Sequence, residues 1–518
     1  MAQSGTTHLS EDGEALAKDV KTMHEHQRQF VIGPTPLKAY PDWKSETVQG
    51  VGFLSHCPKL PVRKVVSQVG SEYILIGTAV QADASRKSPL EELKKPPACI
   101  ADLTHTWAGR WALIADGTLL TDTAGILGCL YSGTGAGLSV SSSLALLRTT
   151  QTAIFDDRAL QLGVGVEWYV APLSRYMGIR RLLPSQQLDL KTGKISAKRL
   201  FKQVELTYEQ AMAQIEETLV TTVTELAKTS LALWLPLTAG FDSRLILAAV
   251  LRAGVKVQCF TLWYADMSRA DLTLPPKLAE LAGLKHVLIR PGKYEGHKES
   301  MFALHTSNGW ADRDKDFICL GQWDQFTEND IVLRGAGIEV GCPRASRFHF
   351  AAPKENPWKV PPAEWILNEY GQNSTGPLLR ALEEWRRWTE ETPQPELDWR
   401  DRFYIEQRLG AWASLNEQAL DLSPCNRVFL SSCGLYMSSV LQIPEHIRHD
   451  SAHQVDLIRR MAPGLLAYPI NPKDSFIRRI PRIPGAIRRR SRSLWEAISR
   501  SPLGGSLVAR CRGILHQN

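Results

Sequence analysis

Between residues 231 and 290 the chain alternates short apolar runs with helical segments, and nothing else in the sequence constrains the fold as strongly. LALWLPL (231–237), VQCFTLW (257–263) and HVLIR (286–290) read as strands, with LILAAVLRAG (245–254) and PPKLAELAGL (275–284) as helices between them. Parallel neighbours need a connection long enough to hold a helix, so this alternation predicts a parallel sheet covered by helices. The amphipathic stretch TYEQAMAQIEETLVTTVTELAKT (207–229) predicts a helix leading into the sheet.

The flanking regions follow other patterns. From about 31 to 200 the chain consists of short β-type runs such as EYILIGTAV (72–80) and GLSVSSS (137–143), broken by Gly, Pro, Asp and Ser. In RWALIADGTLLTD (110–122), Asp116-Gly117 between two apolar runs predicts a tight hairpin. After about 355 the chain reads as helical and carries Trp358, Trp365, Trp385, Trp388, Trp399 and Trp412, a stripe suited to packing helices together. A single core stops growing near roughly 250–300 residues, so 518 residues imply more than one domain. The expected architecture is α/β: a β-rich domain over 1–205, a parallel-sheet domain with a helical C-terminal part over 206–470, and a tail over 471–518.

Charge separates the tail from the body. The net charge is +7, yet residues 471–518 hold one Lys and ten Arg against one Asp and one Glu, a net +9 that leaves −2 for residues 1–470. The body is near neutral, and no helix-turn-helix, RNA-binding or zinc pattern accompanies the basic tail, so a specific nucleic-acid partner is not expected. The tail reads as a solvated surface segment or as a docking element for an acidic partner or an anionic surface. Nine scattered cysteines without a C-x-x-C pair point away from a disulfide framework and towards a reducing cytoplasm. Neither a signal-peptide core nor a transmembrane run is present in the sequence. His24-Glu25-His26 lacks the i, i+4 spacing of a helical metal site and reads as surface.

The turn LTAGFDS, at the end of the first strand of the alternating region, carries the clearest chemical signal. A hydroxyl-and-glycine turn opening a helix aims backbone N–H groups outward, where the helix dipole adds positive charge, and such a nest suits phosphate. Asp242 beside it is suited to Mg²⁺, which takes one or two carboxylates alongside phosphate oxygens. The plainer reading is a strand–helix turn capped by Asp242 or Ser243.

T-A-G-F-D-S resembles the S-G-G-x-D-S loop of ATP-pyrophosphatase enzymes of the asparagine synthetase family, and further stretches agree in order. Cys259-Phe260-Thr261-Leu262 is similar to the adenine-binding strand. Asp271, Leu278-Ala279, Gly283 and His286 resemble the D-x(6)-[I/L]-A-x(3)-G-x-x-H run, and VLRGAGIEVG (332–341) resembles the S-G-E-G-x-D-E loop. GRWALIADGTLLTDTAGILGCLYS (109–132) looks like the glutaminase-type (Ntn-hydrolase-like) sandwich, and FYIEQRLGAW (403–412) like the helical end, so the resemblance spans about residues 50–470. It implies ATP and Mg²⁺ as cofactors. It further implies nucleotide contacts at Leu237, Thr238, Gly240, Phe241, Asp242, Ser243, Thr261, Leu262, Asp271, Arg334, Gly335 and Gly337, and metal binding at Asp242 and Glu339. Asp242, Glu339 and Lys473 are its catalytic residues, Lys473 (in NPKDSF) either matching the lysine that stabilises the pentavalent state or being a solvated tail residue.

Departures from the family narrow the expected reaction. Glutamine hydrolysis needs a Cys directly after the initiator Met; here that residue is Ala2 and the first cysteine is Cys57. Glutaminase-dead relatives such as β-lactam synthetases and lasso-peptide cyclases use an amine on the substrate instead. Ala239 replaces a glycine, where a positive φ would cost about 1 kcal/mol or more. Ala336 replaces a Glu or Tyr suited to assist proton removal, so a base must come from elsewhere; His349, Tyr404 and Glu406 lie near in sequence without a motif behind them. The resemblance therefore implies an AMP-forming ligase that adenylates a carboxylate, releases pyrophosphate and joins an amine, in peptide or natural-product biosynthesis. The alternatives are an amidotransferase using free ammonia and a non-catalytic ATP-binding relative.

Overall fold

The structure is a computed structural model. It describes residues 26–96, 99–148, 152–154, 169–202, 205–229, 231–264, 267–292, 296–306, 325–342, 359–370, 376–394 and 397–472. Residues 1–472 form one compact unit and 473–518 a second. Ala2, His349, Trp358, Lys473 and the basic tail lie outside the described residues.

Alternation along the strands of the first half builds two antiparallel sheets. The first, six-stranded, runs β10-β8-β9-β1-β3-β2, formed by β1 (Phe30–Gly33), β2 (Lys44–Val48), β3 (Gly52–His56), β8 (Leu130–Ser132), β9 (Ser139–Ser141) and β10 (Arg180–Arg181). The second runs β12-β11-β7-β6-β5-β4, formed by β4 (Val62–Val66), β5 (Glu72–Gln81), β6 (Trp107–Ala115), β7 (Thr118–Thr121), β11 (Gln186–Asp189) and β12 (Ile195–Ala197). Phe30, Ile32 and Val140 of the first sheet meet Ile74, Ile76, Ile114 and Leu188 of the second in one core, which makes the pair a sandwich. The other side of β5 and β6 presents Tyr73, Leu75, Trp107, Trp111 and Leu113 to Leu93 and Leu103 of two short helices. Every residue of β6 is buried because both of its faces are covered. The hairpin joining β6 to β7 has φ of 49° at Asp116 and 78° at Gly117, the paired positive values of a type I′ turn.

The second half is built on a five-stranded parallel sheet in the order β15-β14-β13-β16-β17. Its strands are β13 (Ala232–Pro236), β14 (Gln258–Leu262), β15 (His286–Ile289), β16 (Asp330–Arg334) and β17 (Asn426–Phe429). Helix α1 (Tyr208–Ala227) opens with a capping box in which Thr207 and Gln210 satisfy each other's backbone N–H. Helix α2 (Phe241–Arg252) follows β13 and is buried almost throughout. Helix α3 (Arg269–Leu281) begins six residues before the expected PPKLAELAGL segment. The prolines read as a helix start, but Ser268 already caps Asp271, and Pro275 and Pro276 lie inside the helix.

The tryptophan stripe packs the C-terminal helices. Trp385 of α4 (Gly376–Glu391) and Trp399 are buried in one cluster with Phe403, with Trp365, Trp388 and Trp412 packed against it. Buried Glu406 accepts from Trp385 Nε1 at 2.6 Å and pairs with Arg402 at 3.1 Å. Glu406 belongs to a π-helix, Tyr404–Ala413, a rare element that is frequent at functional sites.

The two halves meet across buried polar groups. Arg110 of β6 forms a bidentate pair with Asp421, Nη1 to Oδ1 at 2.5 Å and Nη2 to Oδ2 at 2.8 Å. Gln29 donates to the same carboxylate at 2.8 Å, and Ser432 donates to Asp122 at 2.6 Å. Gln407 exchanges two hydrogen bonds with the backbone of Ala171.

Candidate functional site

Strand order reverses between β13 and β16: the chain leaves β13 towards β14 and β15, and leaves β16 towards β17. Connections that depart in opposite directions leave a crevice at the carboxyl ends of the two strands, the usual place for a ligand in an open parallel sheet. Both loops singled out in the sequence emerge there, one after β13 and one after β16.

The first loop is tightly self-braced. Thr238 N–H donates to Ser243 Oγ at 3.0 Å, Gly240 N–H to Thr238 Oγ1 at 3.2 Å, and Ala239 N–H to Asp271 Oδ1 at 2.8 Å. The sequence suggested N–H groups aimed outward; here three consecutive ones are taken by neighbouring side chains. Asp271 thus braces the loop, and it also accepts from the Ser268 hydroxyl at 2.8 Å. Gly240 has φ −80°, and Ala239 is not among the residues with positive φ, so the alanine carries none of the strain a left-handed glycine site would impose. Phe241 and Asp242 start α2, and both are half-buried.

Leu237 has a fully buried side chain, and its carbonyl accepts from Thr261 Oγ1 at 2.8 Å. Thr261 also meets His286 Nε2 at 2.9 Å, and burial lowers the pKa of that imidazole. Leu262 ends β14 half-buried on the same rim.

The second loop closes onto the first. A Cβ on Gly335 would stand 3.3 Å from Ile246 Cδ1 and 3.5 Å from Asp242 Cβ, so this backbone lies closely against the start of α2. Gly337 has φ 90°, and a Cβ there would meet Ser431 Oγ at 2.8 Å. Arg334 pairs with Glu417, with contacts of 3.0 and 2.6 Å. Glu339 accepts from the Tyr404 hydroxyl at 2.6 Å, while Gln454 donates to Asp242 at 3.3 Å. Burial, then the Glu339 carboxylate, holds the Tyr404 phenol well above its ordinary pKa, so it remains a donor. Tyr436 is held up chiefly by burial, and both Asp242 and Glu339 act on it, as they do on Tyr404; the two carboxylates therefore share one neighbourhood.

Several residues that shape the site carried no motif. Tyr404 is separated from Glu339 by 65 positions, and Arg408 lies one turn further along the π-helix. Arg244, fully buried, donates to the carbonyls of Leu465, Tyr468 and Pro469 and so ties α2 to the end of the compact unit; burial lowers its pKa to about 10. Glu406 is turned into the tryptophan cluster. Cys57 is completely buried after β3, and a chain starting there would lack β1, β2 and β3 of the first sheet.

Comparisons with known proteins place the chain in no family: no family model matches and no curated protein matches. Among solved structures, glutamine-dependent NAD+ synthetase from Acinetobacter baumannii in complex with ADP is similar at 16% identity and TM-score 0.19, over 33% of this chain. This chain spans only 34% of that synthetase. Glutamine phosphoribosylpyrophosphate amidotransferase from B. subtilis, complexed with ADP and GMP, is similar at 9% identity and TM-score 0.21, over 69% of this chain and 88% of that one. TM-scores this low carry no argument about chemistry. Among the described residues, no helix is long and apolar enough to cross a membrane.

Proposed function

We propose that this protein is an ATP-dependent, AMP-forming carbon–nitrogen ligase working at the crevice between β13 and β16. The observation that supports this reading is the meeting of two sequence-distant loops, LTAGFDS and RGAGIE, at the point where strand order reverses, with Asp242 and Glu339 in one neighbourhood. Each carries the residues by which the sequence resembles the asparagine synthetase family.

The donor set fits Mg²⁺. Among the described residues no group of three or more His, Cys, Asp or Glu side chains gathers, as a closed protein cage would require. Two carboxylates suit a cation that shares its ligands with phosphate oxygens and water. Asp242 and Glu339 would hold it, and when bound it neutralises negative charge on the polyphosphate. Gln454 and Tyr404 each keep one carboxylate oriented through a hydrogen bond. Thr261, Leu237 and Leu262 line the rim suited to the nucleoside, and Thr238, Gly240 and Ser243 the side suited to phosphates.

In the reaction a substrate carboxylate attacks the α-phosphorus of ATP, the bond to pyrophosphate breaks, and the acyl-adenylate forms. An amine then attacks the acyl carbon, releasing AMP, an amide and a proton. We favour an amine carried by a second substrate or by the same molecule, and a peptide or modified amino acid as the substrate class. Dialysed protein given Mg²⁺, ATP and candidate substrates is expected to release pyrophosphate and AMP; release of ADP and phosphate would overturn the adenylation chemistry.

One observation favours a second reading. Thr238, Ala239 and Gly240 spend their N–H groups internally, which suits a binding protein that keeps the fold without the chemistry. Thermal stabilisation by Mg·ATP with no pyrophosphate exchange would decide for it.

A further inference from the structure

Polyphosphate bound between Asp242 and Glu339 needs positive charge, and the first loop has little to offer because three of its N–H groups are already engaged. The arginines around the crevice are mostly engaged too. Arg244 donates to backbone carbonyls, Arg334 is paired with Glu417, and Arg448 donates to the carbonyls of Ile443 and Gly341.

Arg408 differs. It projects from the π-helix one turn after Tyr404, and its guanidinium carbon stands 3.5 Å from the centre of the Trp412 ring. It is half-buried, within electrostatic reach of Tyr404 and Glu339, yet makes no hydrogen bond or ion pair among the described residues. Glu339, the obvious partner, takes the Tyr404 hydroxyl instead. Stacking fixes the plane of a guanidinium and leaves its edge N–H groups directed outward, the arrangement that receives two oxygens of one phosphoryl group.

We propose that Arg408, held flat on Trp412, binds the polyphosphate of the nucleotide beside Glu339. The inference rests on the nucleotide site proposed above. It also gives the π-helix a purpose: the element carries the donor to Glu339, the cation and the ring that steadies it.

Calorimetric titration of the full chain with Mg·pyrophosphate, Mg·ATP and adenosine tests this in the wild type, Arg408→Gln and Arg408→Lys. Arg408→Gln is expected to weaken pyrophosphate and ATP by about tenfold or more while adenosine stays within about twofold, because only charged hydrogen bonds are lost. Arg408→Lys should fall between, keeping the charge without the flat fork. Equal pyrophosphate affinity in wild type and Arg408→Gln would overturn the assignment while leaving the nucleotide site standing. Equal loss of adenosine would overturn it too, marking a structural role. A wild type that binds neither Mg·ATP nor pyrophosphate would remove the nucleotide site and this inference together.

Discussion

Where the antiparallel half meets the parallel one, buried charge holds the molecule together: Arg110 grips Asp421, Gln29 joins them, and Asp122 takes the Ser432 hydroxyl. At the crevice of the parallel half, two half-buried carboxylates are oriented by neutral donors, Glu339 by the Tyr404 hydroxyl and Asp242 by the Gln454 amide. Charge paired with charge inside the fold suits support, whereas carboxylates oriented by neutral donors suit a cation shared with a ligand. The contrast suits a supporting role for the junction and the proposed chemistry for the crevice.

The largest effect expected from breaking this contrast is on stability. Asp421→Ala strands the Arg110 guanidinium in a buried setting and should cost about 3–5 kcal/mol, read from denaturant unfolding. A loss below 1 kcal/mol would mean the junction does not need the pair. Asp242→Asn should leave unfolding nearly unchanged but lower pyrophosphate release by about a hundredfold or more, since charge on the leaving group loses its partner. Undiminished release would take chemistry away from the crevice.

Acid should loosen the junction through His105. His105, packed under Gly434, is held down to about 4 by burial and then by Lys202. The unfolded imidazole takes a proton near 6.5, and the folded one resists until about 4. Its stabilisation is therefore complete above pH 6.5 and is lost as pH falls from 6.5 towards 4. The melting temperature of the wild type should drop more steeply through that window than that of His105→Gln; parallel curves would remove His105 as the cause. Tyr404→Phe deletes the donor to Glu339 and should reduce Mg·ATP affinity by about three- to tenfold, read by titration. Smallest of all, Cys57→Ala should leave pyrophosphate release unchanged, and a loss of activity without a loss of stability would give the first half a chemical role.

Periodicity made the framework legible. The alternation over 231–290 corresponds to β13, α2, β14, α3 and β15, and Asp116-Gly117 to the type I′ hairpin, because these depend on neighbours a few residues apart. The start of α3 was hidden, since Pro275-Pro276 imitates a first turn while the true cap, Ser268, lies further upstream. Asp242 and Glu339 stood out through motif spacing. Tyr404 and Arg408 did not: an i, i+4 spacing looks alike in α- and π-helices, and no local pattern says which distant carboxylate a tyrosine will reach. The internal use of the N–H groups of Thr238, Ala239 and Gly240 was likewise out of view, depending on Asp271 arriving from another element.

Arg244 makes the position of a stop codon consequential. Its guanidinium is anchored by carbonyls at Leu465, Tyr468 and Pro469, and Asn471 N–H closes onto the Ala239 carbonyl at 3.0 Å. A chain ended after Pro472 keeps that clasp, whereas one ended before Leu465 leaves a cation beneath the first loop with no acceptor along its far side. Shortened versions of this protein should therefore divide sharply by a handful of codons, the longer behaving as the intact unit and the shorter losing the loop's shape before any residue of the crevice is touched.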